Sequence, residues 1–290
     1  MKLSRRTVFI ATAALAMPLL SRAATPIRIV AAENMYGDIA AQLGGPLVSV
    51  TSILNNPNQD PHLFSATPSV ARALAAADIV IVNGADYDPW MAGLLAAQPT
   101  PNRVVITVAQ LLGRKPGDNP HLWYDPAAMP ALAQALTRAL IAKDPANTST
   151  YQQNATRLFD SLAPIRARIA TLRAKFSGTK VTATEPVFGL MAAALGLEMR
   201  NQNFQRAVMN GTEPAPSDVA AFESDLRSKS VKIMFYNSQV TDDLTTTLLG
   251  LAHQSGVAVV GVTETEPAGT SYQGWMSNGL DAVDEALKPG

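Results

Sequence analysis

The chain of 290 residues contains no cysteine and only three histidines, and charged residues make up 16% of it with a formal net charge of zero. Without a thiol there is no thiolate nucleophile, no Cys-type zinc site and no disulfide framework. Any metal must be held by histidine, carboxylate or backbone oxygen. Lysine and arginine form no basic cluster, which excludes a nucleic-acid partner, since phosphate binding needs clustered cations. Beyond residue 24 no stretch reaches the roughly 20 apolar residues that a membrane span requires. Neither the H-E-x-x-H pattern of zinc proteases nor the G-x-S-x-G elbow of serine hydrolases occurs.

The first 24 residues read as an export signal. Lys2, Arg5 and Arg6 precede an apolar run from Thr7 to Leu20, and Ser21-Arg22-Ala23 supplies small residues for cleavage. Ser4-Arg5-Arg6-Thr7-Val8-Phe9 also matches a twin-arginine signal, so either general or twin-arginine export is open. Removing residues 1–24 leaves 19 Lys+Arg against 23 Asp+Glu, a net charge of −4. The expected product is a periplasmic, monomeric protein with no lipid-bearing cysteine.

Short β-rich runs then alternate with Ala/Leu-rich helical patterns, the rhythm of parallel βαβ units. Strands are expected at Ile27–Ala31, Val48–Ile53, Ile79–Val82 and Val104–Val108, then at Lys180–Ala183, Glu198–Asn203, Val231–Tyr236 and Val257–Val262. Helices are expected near Tyr36–Leu43, Ser69–Ala76, Met129–Lys143, Phe188–Leu195, Pro216–Ser228 and Asp242–Ser255. Between the two sets, Tyr151, Ala155, Leu158, Leu162, Ile165, Ile169 and Leu172 recur at helical spacing. They predict one helix over Thr148–Phe176 that continues through Pro164. The fold class is therefore α/β, with two parallel-sheet lobes, 25–147 and 178–290, joined by a long helix within 148–177.

In such sheets ligands bind outside the carboxyl ends of the strands. His62 follows Pro61 in the loop after the second strand, and His121 follows Pro120 in the loop after the fourth; each precedes a leucine and an aromatic residue. Proline fixes the backbone ahead of each ring, so little freedom is lost on binding. In the second half, Glu185 precedes Pro186 after one strand, and Glu264 and Glu266 precede Pro267 after another. Two imidazoles and two carboxylates at strand ends facing one cleft suit manganese, iron or zinc. Because each glutamate can donate one oxygen or both, such a set offers four to six donors. A five- or six-donor, oxygen-rich shell suits Mn²⁺ or Fe²⁺ and four donors suit Zn²⁺, so the expected cargo is manganese ahead of zinc. His253, before Gly256 at the end of a helix, reads as a surface cation on the helix dipole.

Nearly the whole chain beyond residue 24 resembles the periplasmic zinc- and manganese-binding proteins that serve ABC transporters, the cluster A-I solute-binding proteins. The matching stretches are NQDPHLFSATPS around His62, NGADYDPWM at 83–91, NPHLWYDP around His121, TATEPVFGLMAAALGL around Glu185 and VTETEPAGTSYQGWM around Glu264. The resemblance implies two α/β lobes on a backbone helix and a metal cargo (Mn²⁺, Zn²⁺ or Fe²⁺) on His62, His121, Glu185 and Glu264. It also implies a membrane permease as partner, and no catalysis. The family's fourth ligand is usually aspartate; Glu264 falls there, with Glu266 as the alternative two residues on. The His-rich loop of many zinc-specific members is missing before His121. A metallohydrolase built on two histidines and a carboxylate is the competing function.

Overall fold

The computed structural model describes residues 25–56 and 64–288, so His62 and the export signal lie outside the described residues. The first half runs β1 (Ile27–Glu33), α1 (Asn34–Gly44), β2 (Val48–Leu54), α2 (Pro68–Ala76), β3 (Ile79–Val82), α3 (Pro89–Ala97), β4 (Val104–Thr107), α4 (Val108–Leu111) and α5 (Ala128–Lys143). The connecting helix is α6 (Thr148–Phe176). The second half runs β5 (Lys180–Ala183), α7 (Gly189–Ala194), β6 (Glu198–Met199), α8 (Gln202–Met209), α9 (Pro216–Arg227), β7 (Ile233–Asn237), α10 (Asp243–Ser255), β8 (Ala258–Val262) and α11 (Tyr272–Ala286).

Each half builds a four-stranded sheet, ordered β2-β1-β3-β4 and β6-β5-β7-β8, with every pair parallel. The two lobes thus repeat one topology. Strands covered on both faces need apolar residues throughout, and β3, Ile-Val-Ile-Val, is buried along its length. Helix α1 lies close on β2 because Gly37 faces Ser52; a Cβ there would come within 2.0 Å of Ser52 Oγ. Only glycine permits that approach.

Helix α6 has the expected 29 residues and continues through Pro164. All seven apolar positions read from its spacing are buried. It touches both lobes: Asn154 Nδ2 donates to the Leu43 carbonyl at the end of α1, 2.7 Å away. Arg168 bonds Asp281 and Asp284 of α11, each at 2.9 Å. The strand expected at Glu198–Asn203 stops after Met199. Asn201 adopts φ +57°, a left-handed turn that ends extension. Its side chain binds Thr182 Oγ1 and Asp225 Oδ2, and α8 starts at the next residue. Helices α3, α4, α8 and α11 add to those read from the sequence.

In both sheets the strand order reverses beside the first strand, between β1 and β3 and between β5 and β7. Crevices open at the carboxyl ends of such switch points. The two carboxyl edges meet each other. Asn34 Nδ2 donates to the Glu266 carbonyl (2.7 Å) and Glu266 N–H to Asn34 Oδ1 (2.9 Å), while Tyr124 Oη donates to the Thr263 carbonyl (3.1 Å).

Candidate metal centre

His121 is fully buried, and Asn119 determines how its ring is presented. Asn119 Nδ2 donates to the Pro186 carbonyl at 2.8 Å, so its Oδ1 faces the histidine. That oxygen accepts the His121 main-chain N–H at 3.1 Å and lies 2.8 Å from ring Nδ1. An oxygen acceptor at Nδ1 places the proton of the neutral ring there and leaves the lone pair on Nε2. Nε2 faces Glu264 Oε2 across 3.5 Å. Asn119 belongs to the first lobe and Pro186 adjoins Glu185 in the second, so one amide links the surroundings of both candidate ligands.

Glu264 follows β8 and is fully buried. Its main-chain N–H and that of Thr265 donate to Gln239 Oε1, at 2.5 and 3.0 Å, which fixes the loop. Tyr87 Oη donates to Glu264 Oε2 at 3.0 Å and Asn237 Nδ2 to Glu264 Oε1 at 2.7 Å. The same Asn237 nitrogen donates to Glu185 Oε2. Glu185 stands two residues after the end of β5 and is 2% exposed. The structure therefore joins His121 to Glu264, and Glu264 to Glu185 through Asn237. Among the described residues no three His, Asp or Glu side chains converge as a ready metal cage. The amide nitrogen stands between the two carboxylates instead.

Glu266 is placed differently. Its main chain is clasped by Asn34, and its carboxyl is pushed up to about 8 by burial and by Asp38. It belongs to the seam between α1 and the 263–271 loop, not to the His121–Glu264 contact. His253 is exposed in the last turn of α10, ahead of Gly256 at φ +69°.

Tyr87 owes its position to a costly loop. Gly84, Ala85 and Asp86 all take positive φ, +76°, +52° and +64°. Two of the three carry a Cβ, at roughly 1–2 kcal/mol each. The Asp88 carboxylate offsets this by accepting the Asn83 and Gly84 N–H groups, both at 2.8 Å. Burial first, then Glu264 and Glu33, raise the Tyr87 hydroxyl well above its ordinary range, so it remains a proton donor to Glu264. Sequence reasoning missed Tyr87, Asn119 and Asn237 as parts of the site. The signal for Asn237 was available, because it ends β7, a strand at the switch point.

A family model described as the periplasmic component A of a zinc-uptake complex, ZnuA, matches residues 29–286. The chain belongs to the ZnuA family. Among curated relatives, the iron-binding protein YfeA of Yersinia pestis is 24% identical over 243 residues, spanning 80% of this chain and 76% of that protein. The manganese ABC transporter substrate-binding lipoprotein PsaA of Streptococcus pneumoniae is 23% identical, with 90% and 89% covered. Among solved structures, the periplasmic zinc-binding protein TroA of Treponema pallidum superposes with a TM-score of 0.76 at 19% identity, covering 91% of this chain and all of that one. The shared fold is thus the two-lobed α/β arrangement described above.

Behind the site in this ZnuA-family chain lies Glu33, at the carboxyl end of β1 and fully buried. Among the described residues neither of its carboxyl oxygens has a hydrogen-bond partner. Burial first, then Asp88, raises its pKa well above 4.5, so the folded protein holds a proton that the unfolded chain releases. Glu33 therefore costs no stability below the unfolded value of 4.5, and its contribution becomes increasingly unfavourable as pH rises above it. Glu33→Gln keeps the shape and removes the titration. It should flatten the fall of Tm between about pH 5 and about pH 8, leaving the variant a few degrees more stable at the upper end. Melting curves across that range check it, and parallel profiles for the two proteins would contradict it.

Proposed function

We propose that this chain is an extracytoplasmic solute-binding protein that captures one divalent transition-metal ion on His62, His121, Glu185 and Glu264 and delivers it to the permease of an ABC transporter. One observation carries the reading. His121 Nε2, the ring nitrogen that keeps its lone pair when Nδ1 donates to Asn119, lies 3.5 Å from a buried Glu264 carboxylate oxygen. An imidazole nitrogen and a carboxylate oxygen side by side in a dry interior are the donor types that divalent transition metals take. Ligating imidazoles are commonly oriented by an acceptor on the other ring nitrogen, which is the part Asn119 plays. Residues 1–24 act as the export signal and are removed, and the mature chain works as a monomer.

Relatives carry names for iron, manganese and zinc alike, so the cargo has to be argued from this chain's donors. Imidazole and carboxylate accept all three, and the Irving–Williams order places zinc above manganese and iron at most such sites. The chelator-stripped mature chain should therefore bind one Zn²⁺ per molecule, at least as tightly as Mn²⁺, in a calorimetric titration. Failure of both ions to saturate, or two equal sites, would refute the reading. In the native cell, growth after deletion of the gene and return of single metals identifies the physiological cargo. A metallohydrolase gains no support from the site. Hydrolytic zinc keeps an open position for water and substrate, whereas His121, Glu185 and Glu264 are at most 2% exposed.

A further inference from the structure

Asn119 and Pro186 also line a cavity of about 320 Å³, set between the 117–119 loop of the first lobe and helices α7 and α8 of the second. Its volume falls at the lower end of the ~300–1,000 Å³ of small-molecule sites. One wall is apolar, built from Leu190 and Ala193 of α7, Leu197, Met199 of β6 and Met209 of α8. The pliant thioethers of methionine adapt to an aliphatic group of irregular shape. Among the described residues no candidate metal ligand lines this space, so it is distinct from the His121–Glu264 contact.

Three polar groups define what chemistry the cavity accepts. Asp118 of the first lobe and Arg206 of the second line both this cavity and an adjoining one of about 470 Å³, so they flank the neck where the two join. Among the described residues the Asp118 carboxylate accepts only the Lys115 main-chain N–H, at 3.0 Å, and Arg206 donates only to Asn203 Oδ1, at 2.6 Å. Opposite charges thus stand on facing walls without pairing with each other or with anything else charged. The third group is Gln205, 1% exposed and also lining the cavity. Its Nε2 donates to the Arg200 carbonyl at 2.6 Å, while its Oε1 accepts nothing from the described residues. A buried acceptor without a donor is costly, so a ligand that donates to it is favoured. A carboxylate suits the guanidinium fork, and the three N–H groups of an ammonium suit Asp118 and Gln205 Oε1. The apolar wall remains for a hydrocarbon side chain. We propose that this cleft is a second solute site, which takes a small aliphatic α-amino acid such as leucine and is bridged by it from one lobe to the other.

Calorimetric titration of L-leucine into the chelator-stripped mature chain tests it, and because no metal is present the outcome does not depend on the metal-binding reading. One molecule per chain should bind with a Kd of about 100 μM or tighter, a modest yield for so small a ligand. Isoamylamine lacks the carboxylate and 4-methylpentanoate lacks the ammonium. Each should bind about tenfold more weakly or worse, because one charged wall is left unanswered. Arg206→Ala and Asp118→Asn should weaken leucine by a similar factor. Ala193→Trp, at an exposed position of α7, should block binding by filling the cavity. Melting curves establish that each variant is folded, and millimolar leucine should raise the wild-type Tm but not that of Ala193→Trp. Absence of both heat and Tm shift at millimolar leucine in the wild type overturns the inference. So does leucine affinity within about twofold of wild type in folded Arg206→Ala and Asp118→Asn. Equal affinity for 4-methylpentanoate and leucine also overturns it, since the cleft would then recognise a simple carboxylic acid.

Discussion

His121→Ala is expected to weaken divalent-metal binding by about a hundredfold or more, while His253→Ala leaves it unchanged. Losing even a group that only orients a ligand costs 10–100-fold, and His121 is placed to be a ligand itself. It is fully buried, its Nδ1 is occupied by Asn119, and its Nε2 faces Glu264 Oε2. Alanine removes the nitrogen donor beside the Glu264 carboxylate, which Tyr87 and Asn237 still hold in place. His253 lies exposed in the last turn of α10, just before the Gly256 that ends the helix. Calorimetry on the two variants checks the assignment. Comparable losses from both would remove His121 from the site.

The elements that positioned this site were legible in the sequence wherever one period dominated. Helix α6 was read to the residue because its seven apolar positions, Tyr151 to Leu172, repeat over about six turns without interruption. Strand β3 was likewise found in full, as a four-residue apolar run between polar segments. What escaped was set by contacts distant in the chain. The extended run after Glu198 was overestimated because nothing local announces that Asn201 turns left-handed; its partners Thr182 and Asp225 are 19 and 24 residues away. Helix α3 lacks an amphipathic stripe, reading Pro-Trp-Met-Ala-Gly-Leu-Leu-Ala-Ala, so period alone could not separate it from loop. The residues with acid or imidazole groups were visible by type and by their place at strand ends. Asn119 and Tyr87 were not, because amides and phenols in loops signal nothing until a fold brings them to a carboxylate; Asn237 offered only its place at the end of β7. The choice between Glu264 and Glu266 had the same character. Two residues apart in one loop, they differ in that Glu264 meets His121 and Asn237 whereas Glu266 turns to the seam with Asn34.

Trp123→Ala is expected to be the most damaging single substitution for stability, costing about 3–5 kcal/mol and lowering Tm by roughly 10 °C. Trp123 is fully buried, with its ring centroid 4.9 Å from that of Tyr87 and 5.4 Å from that of His121. Its main-chain carbonyl accepts the Tyr272 hydroxyl of α11 at 2.8 Å. From it an aromatic column runs through Tyr124 to Phe188 and Trp275, and from Phe188 to Phe235, with centroid separations of 6.3, 5.1, 5.4 and 4.5 Å. That column crosses from the first lobe into the second. One buried cluster accordingly includes Ile29 and Leu132 from the first lobe, Leu158 from α6, and Phe188 and Phe235 from the second. Two lobes that share a core cannot unfold independently without exposing it, so calorimetry should record a single transition for both wild type and variant. Metal affinity should also fall in Trp123→Ala, though by less than in His121→Ala, because the imidazole loses its backing while keeping its hold on Asn119. Two separate transitions, of which only the lower moves on substitution, would place the column within one lobe's stability and deny that it couples the pair.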